Sequence, residues 1–310
     1  MQANRKNSIL LIITIWFVFG LQYNVNGQQE PQFSIYPYNL PSINPASTGS
    51  QQVLSLLFVS RLQWVGIDGA PRSYVFSLDA PLPKRNIGLG FSLVSDNIGP
   101  LTNNYFSFNY SHKINITSKT MLYMGLGLSL NNFYLGFTDL YVNDIDDDFL
   151  SQDFKKYLQP GLGTGLYLKH PNYYLGLSVS RVFQTTKLKD NIGKLKQHIY
   201  LSGGYTFQFG RYWAITPSFL GRSVLGAPTS VDISIFTKYN KFIGLGVSHR
   251  IDDSLIGIFE LNLTDQLLFA YSYDFPTTDK VKSSNGSHEI LIRFNFSNIK
   301  RDNFKSPRYF

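Results

Sequence analysis

The sequence contains no cysteine. That excludes a disulfide framework, a thiolate metal site and a lipid anchor on an N-terminal cysteine. Charge is scarce as well, at 15% of the chain against about 25% in an ordinary soluble domain. Such a chain is short of the groups that solvate a globular surface. Long apolar runs are also missing. Outside the N-terminus no stretch reaches the roughly 18 residues of a transmembrane helix, and mean hydropathy is only −0.09. Aromatic and small residues are plentiful: 15% Phe, Trp and Tyr, and 25 glycines in 310 residues. Few charges, many aromatics and no membrane helix favour a membrane β-barrel over an aromatic-rich soluble sandwich.

The formal net charge of +8 invites a nucleic-acid reading. Arg5 and Lys6, however, precede an apolar stretch from Ile9 to Leu21 and a polar stretch from Gln22 to Asn26. That order is a secretory signal peptide, with Val25 and Gly27 suited to the −3 and −1 positions and cleavage expected before Gln28. The other basic residues are scattered, apart from 187–196 and a tail over 299–310, so nucleic acid is not an expected partner. Export through this signal delivers the chain to the periplasm.

From Val53 onward the chain alternates with period two in segments of roughly ten residues, the length and pattern of a tilted membrane strand. Tyr173, Leu175, Leu177 and Val179 fall on one face, and Tyr174, Gly176, Ser178 and Ser180 on the other. Leu122, Met124, Leu126, Leu128 and Leu130 likewise oppose Tyr123, Gly125, Gly127 and Ser129. In the last segment Ile290, Ile292, Phe294 and Phe296 oppose Glu289, Leu291, Arg293, Asn295 and Ser297. Counting the segments gives about fourteen between 53 and 298. Unpaired strand edges cannot face lipid, so they must close. The expected fold is all-β: a transmembrane outer-membrane antiparallel β-barrel with both termini periplasmic.

Connection lengths support this order. The even connections are short: Pro81 to Arg85, Asn115 to Ser118, His170-Pro171, Gly210-Arg211, Asn240 and Asp265. The odd ones include long loops at Asp96 to Asn103, Thr138 to Tyr157, Gln184 to Lys196 and Pro276 to Gly286. Short periplasmic turns and longer outer loops are the barrel arrangement. Residues 28–52 carry Pro31, Pro37, Pro41 and Pro45, are irregular, and are too few for a domain. Two placements stay open for them: folded into the lumen or along the periplasmic mouth, or a disordered leader.

No catalytic or cofactor apparatus is expected. Asp144, Asp146 and Asp148 fall at positions one, three and five of a calcium loop, but Phe149 and Lys155 stand where it needs glycine and glutamate. His112, His170, His198, His249 and His288 show no metal-ligand spacing. The runs Gly88-Leu89-Gly90, Gly125-Leu126-Gly127, Gly161-Leu162-Gly163 and Gly244-Leu245-Gly246 lie inside strands, where glycine leaves lumenal room or permits curvature. Trp64, Tyr173, Tyr212, Trp213 and Tyr271 suit interfacial girdles. The inward faces read as Gly, Ser and Tyr rather than charge, which disfavours a general porin.

Arg61 to Leu82 read as a hairpin whose tip, Gly66 to Ala70, carries two glycines. Its wording, QWVGIDGAP followed by SYVFSLDAPL, resembles the PorP/SprF family of type IX secretion outer-membrane proteins from Bacteroidetes-type bacteria. The resemblance extends to PQFSIY at 31–36, INPA at 43–46, GLGFS at 88–92, DNIGP at 96–100 and GSHEIL at 286–291. It departs from the pattern at Tyr38-Asn39-Leu40-Pro41 and in the basic tail. Asn44, Pro45, Trp64, Gly66, Gly69, Pro71, Gly99, Pro100 and His288 carry the match, either as contact residues or as shapers of turns and the barrel seam. The resemblance implies a non-enzymatic component of the secretion and gliding apparatus. Its partners would be the periplasmic ring or translocon, a secreted adhesin-type surface protein, and outer-membrane lipid. A passive or fatty-acid-type channel is the alternative.

Overall fold

The computed structural model describes residues 30–136, 155–184, 196–224, 227–278 and 284–296. The N-terminal stretch expected to be a signal peptide (1–27), the aspartate run at 144–148, most of the basic stretch at 187–196 and the tail at 299–310 lie outside the described residues.

The first seven strands are β1 (Leu54–Leu62), β2 (Arg72–Leu82), β3 (Ile87–Ile98), β4 (Leu101–Asn115), β5 (Met121–Leu135), β6 (Lys155–Lys169) and β7 (Tyr173–Gln184). Next come β8 (His198–Tyr205) and β9 (Phe207–Phe209), which both pair with β10 and are two parts of one strand interrupted at Thr206. The rest are β10 (Trp213–Val224), β11 (Ser230–Tyr239), β12 (Ile243–Arg250), β13 (Ser254–Asn262), β14 (Leu267–Pro276) and β15 (Ser287–Phe296). Each pairs antiparallel with its sequence neighbours, and β15 pairs with β1 from Leu54↔Phe296 to Leu62↔His288. Counting β8 and β9 as one, the sheet is a closed barrel of 14 strands.

Alternation decides which way each side chain faces. In β2, Ser73, Val75, Ser77 and Asp79 are buried, whereas Tyr74, Phe76 and Leu78 are exposed. In β5, Met124, Leu126, Leu128 and Leu130 face outward while Tyr123 and Asn131 face the lumen. An apolar exterior over a polar interior is what lipid outside and water or protein inside require. Aromatics gather on the outer surface near the short turns, where Tyr173 stacks on Tyr205 with ring centroids 6.3 Å apart and Trp213 lies 4.8 Å from Tyr239.

One end of the barrel carries the connections 83–86, 116–120, 170–172, 210–212, 240–242 and 263–266, here termed the turn end. The other, the loop end, carries 63–71, 99–100, 136–154, 185–197, 225–229, 251–253 and 277–286. The long loop expected over Asp96 to Asn103 is absent. Strands β3 and β4 continue to Ile98 and from Leu101, joined by Gly99-Pro100 with Gly99 at φ 52°. Ladder pairing reaches the tip because Ser73 donates to Asp96 at 2.5 Å and Thr102 to Asn97 at 2.8 Å, satisfying polar groups that read as loop in sequence.

The barrel seam begins with Leu54 opposite Phe296 at the turn end. The chain before β1 does not stay there. Residues 30–52 run through the lumen as three short helical turns, Tyr36–Tyr38, Leu40–Ile43 and Pro45–Ser47. Prolines at the first or second position of each turn start it without needing an N–H partner.

Candidate functional site: a segment seated in the lumen

A 14-stranded barrel is wide enough to enclose a cavity. Here strand glycines and inward polar groups shape that space around residues 30–52. A Cβ at Gly88 would overlap the Thr48 backbone, one at Gly125 the backbone of Pro45 and Ala46, and one at Gly165 the Asn44 side chain. These glycines, on the inward face of β3, β5 and β6, form a bed on which Asn44 to Thr48 lie. Asn44 fixes the local chain: its Oδ1 accepts from Ala46 N at 3.0 Å, and its Nδ2 donates to Leu166 O at 3.0 Å. Around it, Ser178 donates to Ile43 O at 2.7 Å, Ser111 to Thr48 O at 2.6 Å and Asn109 to Pro41 O at 2.9 Å. Beside the bed, Tyr36, Leu40 and Ala46 pack with Tyr123, Tyr167, Tyr174 and Tyr200.

Charged groups hold the remainder. Glu289 accepts from Ser34 N at 2.8 Å and Ile35 N at 3.1 Å, and from Arg61 at 2.9 Å. Arg61 also pairs with Asp274 at 2.7 Å, and Ser34 Oγ donates to the same carboxylate at 2.8 Å. The network continues along the wall, where Asp232 pairs with Arg250 at 2.9 Å and Arg222 at 2.8 Å. Deeper in the lumen, Glu260 pairs with Lys238 at 2.9 Å and accepts from the Tyr38 hydroxyl, while Arg293 donates to Tyr38 O. Asp79 accepts from Gly49 N at 2.5 Å, and Lys169 donates to Ser50 O at 2.9 Å. Buried charges survive only when paired and hydrogen-bonded, and here the segment's own backbone supplies several of those bonds.

At the segment's start, Glu30 pairs with Arg181 at 2.6 Å and accepts from the Tyr200 hydroxyl at 2.6 Å. Burial alone would raise the Glu30 carboxyl. The Arg181 guanidinium, His198 and hydrogen bonds from Tyr200 and Ser180 outweigh it and hold its pKa below the usual carboxylate value. Arg181 reaches Glu30 from a left-handed backbone, φ 56°, beside a register shift between Leu162 and Thr164. Bulges of this kind re-aim side chains. A cavity of about 120 Å³ remains between this end of the segment and the wall, lined in part by Tyr105, Ser107, Asn109, Ser129 and Arg181.

The residues singled out in the sequence fall into two groups. Asn44 and Pro45 are buried in the lumenal segment. Trp64, Gly66, Gly69, Pro71, Gly99 and Pro100 gather at the loop end, where Gly99 N donates to Gly69 O at 2.9 Å and Gln63 N to Pro71 O at 3.0 Å. The same tip is clasped from the other side: Val65 N donates to Gly286 O at 2.9 Å, Asn285 N to Val65 O at 2.7 Å and Trp64 N to Ser287 Oγ at 3.2 Å. His288 faces outward beside it, its Nδ1 2.7 Å from the Tyr271 hydroxyl. The sequence reading of an inward face poor in charge is corrected by Arg61, Asp79, Lys169, Arg222, Asp232, Lys238, Arg250, Glu260, Asp274, Glu289 and Arg293, all buried. No strand supplies more than two of them, so closure of the barrel, rather than any motif, brings them together. Among the described residues no group of three or more His, Asp or Glu is placed to hold a metal ion.

A closed antiparallel barrel with an apolar exterior and a polar, occupied lumen is an outer-membrane protein. The family description "Type IX secretion system membrane protein PorP/SprF" matches residues 25–294, and the chain belongs to that family. It is therefore a membrane component of type IX secretion. No curated protein matches. Among solved structures it is similar to Omp33 of Acinetobacter baumannii (9% identity, 79% of this chain and 98% of that one, TM-score 0.46). It is also similar to the CymD monoaromatic hydrocarbon channel (12%, 86% and 94%, 0.48) and the Ralstonia pickettii toluene transporter TbuX (13%, 87% and 96%, 0.48).

Proposed function

We propose that this protein is a non-enzymatic docking or anchoring barrel of the type IX apparatus rather than a conduit. In this reading the loop end faces the cell surface and engages a secreted, adhesin-type protein, while the turn end faces the periplasmic ring. The observation that carries it is the filling of the lumen. Residues 30–52 are held by buried ion pairs and by hydrogen bonds to side chains of strands all around the wall, so the barrel is built to stay shut. A rigid exterior then offers its two ends as contact surfaces. The tip at 63–71 is clasped by 99–100 and 284–287, and this fixed surface at the loop end is well placed to meet a partner.

The test is an affinity pull-down of the mature protein from outer membranes, with mass spectrometry of what co-purifies. Ring or translocon subunits, or one large surface protein, support docking. A partnerless barrel that conducts ions in planar bilayers overturns it and leaves a passive channel.

A further inference from the structure

The lumenal segment has a direction. Its first described residue, Glu30, is bound by Arg181, near the loop end of β7, and by Tyr200, while its N–H donates to His198 Nε2 at 3.3 Å. His198 is the first residue of β8, also at the loop end. Ser34 follows, held by Arg61, Asp274 and Glu289, each within three residues of the loop end of its strand. Tyr38 lies deeper, against Glu260 and Arg293. Thr48 to Gln52 reach the turn end, where Ser111, Lys169 and Tyr123 bind them. A chain delivered from the periplasm and entering β1 at the turn end has no need to cross the lumen. This one crosses it completely.

We propose that the residue-30 end of the segment is presented at the loop-end mouth of the barrel, so that it can be engaged from the cell surface and not from the periplasm. The anchors enforce this. A pull from the turn end would tear Glu30 and Ser34 from their buried partners on the wall and drag them through the whole bed of glycines and tyrosines. A contact at the loop end has only the Glu30–Arg181–Tyr200 cluster and the Ser34 clasp to exchange. Residues 30–33 adopt no helix, strand or turn, and Pro31 and Gln32 are only half-buried, so this end is less tightly packed than the buried stretch from Phe33 to Tyr36. The barrel thereby carries a strap whose residue-30 end lies at the loop end and whose other end runs into β1 at the turn end. The surface address rests on the orientation proposed above, loop end outward.

Because the chain lacks cysteine, single introduced thiols report topology without background. Four variants suffice: Asp68→Cys on the exposed loop-end hairpin, Lys84→Cys on the exposed turn-end connection, a Gly-Ser-Cys insertion directly before Glu30, and Gln32→Cys as a second probe should the insertion disturb assembly. Intact cells are treated with a membrane-impermeant maleimide, then compared with cells whose outer membrane has been permeabilised. The expected result is labelling of Asp68→Cys and the residue-30 probes on intact cells, with Lys84→Cys labelled only after permeabilisation. Residue-30 probes that behave like Lys84→Cys overturn the inference while leaving the orientation standing. Labelling of Lys84→Cys but not Asp68→Cys on intact cells instead reverses the orientation and removes the surface address.

Discussion

At position 125 the lumen has no room for a Cβ, because the backbone of Ala46 occupies that space. Gly125→Val is expected to unseat the segment at a cost of about 1–3 kcal/mol, the range for overpacking a close-packed site. Faster proteolysis within 30–52, with the barrel intact, would show it. Arg61→Met leaves Glu289 buried without its cation and Asp274 with only the longer Arg250 contact at 3.8 Å. Breaking such a network costs about 3–5 kcal/mol, read as a lower denaturant midpoint; further replacing Glu289 and Asp274 by Gln and Asn should recover part of it. Glu30 gives a pH dependence. Its folded pKa lies below the ordinary value of 4.5, so its contribution is fully present above that value and is lost as pH falls through the lower, folded value. Acid below about pH 4.5 should therefore loosen the residue-30 end, and Glu30→Gln should flatten that dependence; protease susceptibility across pH checks both. The role of Gly125 was half legible, since inward phase and lumenal room follow from alternation. What filled the room was not, because nothing in GLG names Ala46, far upstream, as its neighbour.

Strands and their phases were the most legible elements. Period-two alternation depends on local residues and the lipid–lumen contrast alone, so Tyr173 to Gln184 and Ser287 to Phe296 could be placed without knowing their partners. The Asp96 to Asn103 hairpin was misread for the opposite reason. Its Asp and Asn side chains signal loop locally, yet in the barrel Asp96 accepts from Ser73 on the adjacent strand and Asn97 from Thr102 across the hairpin. The loop-end tip repeats the lesson. Glycines at 66 and 69 announce a turn and do adopt φ 95° and 72°, but the clasp by Gly99, Asn285 and Gly286 joins parts of the chain remote in sequence. Gly69→Ala forces a Cβ into left-handed backbone, a penalty of about 1–2 kcal/mol. It should speed hydrogen exchange at the amides of Gly99 and Val65, whose bonds depend on the shape of this tip. Unchanged exchange would mean the tip does not depend on Gly69.

At the scale of the whole molecule, the wall and the segment are made for each other. The buried charges of the strands, from Arg61 to Arg293, would line a polar channel if 30–52 were absent. With the segment present they become its fastenings. The barrel, its closure and its membrane were accessible from composition, alternation and connection lengths; the occupied lumen was left undecided, since a proline-rich stretch carries no periodicity and its anchoring contacts to the wall are long-range. Docking without conduction requires that the segment seal the barrel. The direct measurement is single-channel conductance in planar bilayers of the mature protein and of a variant lacking residues 30–47. The intact barrel is expected to be silent and the shortened one to show steady ohmic conductance. A stable open conductance from the intact protein, equal to that of the variant, would contradict docking without conduction.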